Sequence, residues 1–133
     1  MAAGKYNFTI EQGATVDFEI AYTDSNSDPI DLTGYNARMQ LRPSAGSETV
    51  YLTLSSSLGP CGTGLNMSGS SGINPPISGT IGIYISAVTS SQLNFASAQY
   101  DLEIASGSGN CAVITRLLEG SVRLSKNITL GSF

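Results

Sequence analysis

The chain of 133 residues contains no histidine and no tryptophan, and only 12 % of it is charged. Without histidine, a histidine-assisted nucleophilic triad is excluded, and the commonest side-chain ligand of catalytic metals is missing. Without tryptophan, a sugar-binding platform would have to be built from tyrosine and phenylalanine alone. Ten acids outnumber six bases, giving a formal charge of -4, and the lysines and arginines are scattered singly. That pattern lacks the electrostatic footprint of a nucleic-acid binder. Apolar runs such as Val113 to Leu118 are far too short to cross a bilayer, and the opening MAAGKYNF carries no apolar core of a signal peptide. The expectation is one soluble domain spanning residues 1–133, made in the cytoplasm, with neither nucleic acid nor membrane as partner.

Cysteine is scarce as well. Cys61 and Cys111 stand far apart in Gly-, Ser- and Asn-rich surroundings, which is neither metal-ligand spacing nor a redox CxxC pair. Two readings stay open: free thiols, as a cytoplasmic origin favours, or a disulfide formed later in a particle used outside the cell.

What the sequence has in abundance is strict alternation. In TVDFEIAY the apolar Val16, Phe18, Ile20 and Tyr22 fall on one face and Asp17 and Glu19 on the other, the pattern of a half-buried strand. The same pattern recurs at Ala37, Met39 and Leu41, at Val50, Leu52 and Leu54, at Ile81, Ile83 and Ile85, and at Tyr100, Leu102 and Ile104. An opening strand is expected over about Tyr6 to Ile10. The stretch Cys111 to Ile128 reads either as one long bent strand or as two short ones broken at Glu119 and Gly120, since glycine within a strand often marks a bend. Ser86 is placed to cap a single helical turn. Residues 55–78, rich in Ser, Gly, Pro and Asn, read as an extended loop too long for an ordinary hairpin.

Seven or eight short strands, turn signals between them and at most one short helix predict an all-β, immunoglobulin-like antiparallel sandwich. Its expected core holds Phe8, Val16, Phe18, Ile20, Leu32, Met39, Leu41, Val50, Leu52, Ile81, Ile83, Tyr100, Leu102, Val122 and Leu124. Tyr100 is open to two readings, a corner tyrosine of such sandwiches or a plain core tyrosine.

The segment most suggestive of chemistry is YTDSNSDPIDLTGY, where Asp24, Asn26 and Asp28 match the first half of an EF-hand loop. Pro29, however, occupies the position where glycine permits the sharp turn, and Tyr35 stands where a bidentate glutamate should close the cage. A turn is the better reading, because Asp, Asn, Ser and Pro favour turns for backbone reasons. The carboxylate pairs Asp17 with Glu19 and Asp101 with Glu103 alternate with core residues and read as solvated sheet faces. No catalytic residue, metal or cofactor is expected.

With its flanks, TIEQGATVDFEIAYTDSNSDPIDLTGYNARMQLRPS resembles the opening of bacteriophage virion proteins with an immunoglobulin-like domain, including the N-terminal domain of upper baseplate proteins. The likeness is carried by the turn at Gln12 and Gly13, the strand Val16 to Tyr22 and the segment Pro29 to Gly34, and later by GTIGIYIS, AQYDLEI and LLEGSVRLSKNIT. It implies a non-catalytic virion component, a tail or baseplate protein that attaches or spaces fibres, present in many symmetric copies among other virion proteins. A capsid decoration protein is the alternative in the same class. A carbohydrate-binding module for host attachment is the alternative from another class. Tyr51, Tyr84 and Phe133 are the candidate partner contacts, and Tyr51 and Tyr84, which alternation points outward, are the candidate contacts for a glycan.

Overall fold

The computed structural model describes residues 4–69, 78–107 and 111–129. Among these residues nine strands form: β1 (Gly4–Lys5), β2 (Phe8–Glu11), β3 (Val16–Ala21), β4 (Tyr35–Arg42), β5 (Leu52–Ser55), β6 (Gly64–Asn66), β7 (Thr80–Ile85), β8 (Ser97–Ser106) and β9 (Val113–Ser125). The single α-helix among them, α1 (Ala87–Ser91), starts at Ser86, whose hydroxyl accepts the Thr89 amide as the sequence predicts.

Two sheets face each other. The large one runs β5-β4-β8-β9, and β1 and β2 both lie parallel along the outer edge of β9. The small one is antiparallel in the order β3-β7-β6. This is the strand order of a variable-type immunoglobulin-like sandwich: a G-F-C sheet extended by C′ and faced by B, E and D.

Alternation sets which side chains fill the space between the sheets. Ala37, Met39 and Leu41 on β4 sit opposite Ile104, Leu102 and Tyr100 on β8, and all six are buried. From the small sheet, Ile81, Ile83 and Ile85 are fully buried, with Val16, Phe18 and Ile20 partly buried beside them. Each fully buried large aliphatic contributes about 1.5–3 kcal/mol relative to exposure, so these rows are the main favourable term.

Three expectations are corrected. Residues 55–78 are not a loop throughout: Gly64–Asn66 pairs with β7, and Leu65 is fully buried opposite Ile83. The count of strands rises to nine because β6 lies in that stretch and the opening strand divides in two. Val50 is 39 % exposed, because β5 begins only at Leu52 and the alternation has no sheet to impose it before that point.

Of the two readings of the stretch from Cys111 to Ile128, the single long strand is the one that forms: β9 is continuous through Gly120. Its change of phase occurs earlier, where the partner of β8 moves from Leu118 to Arg116 between Leu102 and Glu103. Leu117 is the extra, bulged residue, and it is buried. The bulge turns Ile114 and Arg116 to the outer face, and Ile114 is accordingly exposed.

Gly120 has a different function. It lies opposite Tyr100, and a Cβ there would overlap the Tyr6 carbonyl and come within 2.8 Å of Asn7 Oδ1. The chain between β1 and β2 steps inward over this glycine. Three bonds hold the step: Tyr6 N–H donates to Glu119 O (3.0 Å), Ser121 N–H donates to Asn7 Oδ1 (2.9 Å), and the Tyr100 hydroxyl donates to Tyr6 O (2.6 Å). Tyr100 is therefore no corner tyrosine, which would bond its own backbone a few residues upstream. It fastens the opening strand across the core.

Candidate interaction surface

The loop that resembles half a calcium site is a turn. Asp24 Oδ1 accepts the amides of Asn26 (2.8 Å) and Asp28 (3.0 Å), while Asp24 N–H donates to Asp28 O (2.9 Å). One bridge, Thr23 to Pro29, closes the hairpin. One carboxylate oxygen is thus committed to the backbone. Among the described residues no group of three or more Cys, Asp or Glu is placed to hold a metal ion. The PIDLTG segment that follows is also structural: Asp31 Oδ1 accepts Thr33 N–H at 2.9 Å, Leu32 is buried at the end of the sandwich, and Gly34 turns with φ +81° into β4. Hydrogen bonds from Thr33 hold the Asp31 carboxyl below its ordinary value.

The outer face of the large sheet gathers charge that the sequence disperses. Parity places Arg38, Gln40 and Arg42 on that face of β4, and the register sets Arg38 opposite Glu103 and Gln40 opposite Asp101. Arg38 Nε meets Glu103 Oε1 at 2.8 Å, and Arg116 reaches both Asp101 (3.3 Å) and Glu119 (3.5 Å). Burial, reinforced by Glu103, raises the pKa of Asp101 despite the neighbouring arginines.

Arg42 differs from the other two arginines. Its Nε and Nη2 donate to Gln40 Oε1 (3.1 and 2.6 Å) and its Nη1 donates to Ser47 O, so every partner it has among the described residues is neutral. The guanidinium is half-buried and held in place, and it forms no ion pair among the described residues. It lines an open depression of about 960 Å³ that also contains Lys5, Arg38, Arg116 and the three acids. Four bases against three acids give this depression a net charge of +1, which leaves two bases and seven acids, net -5, on the rest of the chain. The acidity of the chain lies outside the depression.

The residues singled out from sequence are dispersed over the surface. Cys61, in a turn after β5, and Cys111, just before β9, are free and exposed, so the disulfide reading is not realised in the structure. Tyr51 was expected to point outward. It lies before β5, where strand parity does not apply, and stacks on buried Phe95 with centroids 4.7 Å apart and planes at 12°. Tyr84 is half-buried on the outer side of the small sheet opposite Asp17. Phe133 lies outside the described residues. Sequence reading missed Arg42 and its neighbours as a group; only the parity of NARMQLR signals them, and the long-range register that assembles the face is not written locally.

Compared with known proteins, the chain matches no protein-family model and no curated protein.

Proposed function

We propose that this chain is a non-catalytic structural protein of a bacteriophage virion, a tail or baseplate component that attaches or spaces fibres and is present in many copies. The observation that carries the reading is the coincidence of fold and motif. The segment Pro29 to Gly34, on which the resemblance to phage immunoglobulin-like domains rests, is the turn that plugs and closes this immunoglobulin-like sandwich through Leu32 and Gly34. Fold alone would not suffice, because sandwiches of this kind serve many functions. Two features add support. A depression of net positive charge on an otherwise acidic chain suits contacts between protein surfaces, and Tyr51, stacked on Phe95, is not available as a flat sugar platform.

Proteomic quantification of density-purified particles tests the proposal. The expected result is the chain in multiple copies per particle, retained through high-salt washing. Absence from particles, together with glycan binding by the isolated domain, would overturn it in favour of a host-attachment module.

A further inference from the structure

From residue 6 to residue 37 the sequence contains six acids and no base. The fold places three of these, Asp24, Asp28 and Asp31, in the turn between β3 and β4, at one end of the sandwich. That turn is preset by its own hydrogen bonds, so docking it costs little further ordering. On the outer face of the large sheet stands the opposite charge: Arg42, held by neutral partners at the rim of a depression, with Lys5 in the same depression. The turn leads into the first residue of β4 and Arg42 is the last, so the length of an eight-residue strand separates the two surfaces and they meet only between molecules. We infer that the depression around Arg42 docks the acidic turn Asp24 to Asp31 of a second copy of this chain.

The contact is heterologous, since the surface given differs from the surface received, and it therefore propagates into a ring or stack. This deepens the multi-copy reading above and rests on it. A turn of eight residues in a shallow depression buries less than the roughly 1,200 Å² of a standard interface. Single contacts are accordingly weak, and closure of a ring or a common support supplies the avidity. Because its attraction comes from exposed charge, the contact is sensitive to salt.

Sedimentation of the full chain tests this. Reversible association is expected at about 10 mM salt, where the screening length is about 30 Å, and its loss at about 1 M, where that length is about 3 Å. Arg42→Glu and Asp28→Lys should each be monomeric at low salt. Mixed, they should associate again, because the intact depression of one receives the intact turn of the other and the two reversed charges are themselves of opposite sign. Renewed association also proves that both variants fold; should Arg42→Glu lose its β-sheet spectrum, Lys5→Glu takes its place. A wild type that stays monomeric at low salt, single variants that still associate, or a mixture that stays monomeric would each overturn the inference. If the chain is nonetheless found in particles, only the contact falls and the proposed function stands.

Discussion

Tyr100 is buried to 5 % exposure, and its hydroxyl is committed to the carbonyl of Tyr6, 94 residues upstream. Desolvation, with a smaller contribution from Tyr6, pushes the hydroxyl pKa well up, so it remains a donor across the ordinary pH range. Tyr100→Phe keeps the ring contacts with Phe8 but strands the carbonyl, at a cost of about 1–3 kcal/mol, measurable as a lower urea midpoint with unchanged slope. Asp101 gives a prediction about pH. Its folded-state pKa is raised, so the native state binds its proton more readily than the unfolded chain, and that contribution to stability is present at acid pH and lost as pH rises through the raised value. Asp101→Asn, which cannot ionise, should gain stability relative to wild type at pH 7, and the gain should vanish near pH 3. Equal midpoints of the two proteins at pH 7 would contradict the assignment. Tyr100 as a core residue was legible from alternation, but its partner was not, because nothing local announces a bond across the whole chain.

Individual elements illustrate how far local patterning reaches. β3, β4, β7 and β8 alternate over six to ten residues and form where the alternation predicts them. β6 is three residues long, with one fully buried side chain, too little for any periodicity to register. The bulge at Leu117 was displaced in the sequence reading to Gly120, because a glycine draws attention as a bend while a bulge of leucine carries no composition signal. What Gly120 does provide is room for the opening strand. Gly120→Ala should drive the Tyr6 carbonyl out of place and release β1, and with it the Tyr100 bond, lowering stability by more than the roughly 1 kcal/mol that replacing a strand glycine usually gains or loses. Hydrogen exchange should report faster loss of protection at Tyr6 and Ser121 than in the core of β8. Uniform protection in the variant would show that the step over Gly120 is dispensable. α1 joins the same end of the sandwich to the β2–β3 turn: fully buried Ser90 accepts Gly13 N–H and donates to Ala14 O at 2.7 Å.

At the scale of the whole molecule, the two sheets enclose one core, and the charge divides into a depression of net +1 and a remainder of net -5. Composition makes the overall acidity plain, but the division depends on register between strands more than 60 residues apart, as in Arg38 with Glu103. The exposed thiols belong to this scale too, since one precedes β6 in the small sheet and the other precedes β9 in the large one. Alkylation of the unreduced protein should add two adducts, at Cys61 and Cys111, and an intact mass that rises by two daltons on reduction would contradict the structure. The proposed function turns on where the protein resides. Gold labelling of an epitope-tagged chain on intact particles tests that most directly. Label repeated on the tail or baseplate is the predicted result, and label on heads alone, or on no part of the particle, would contradict it.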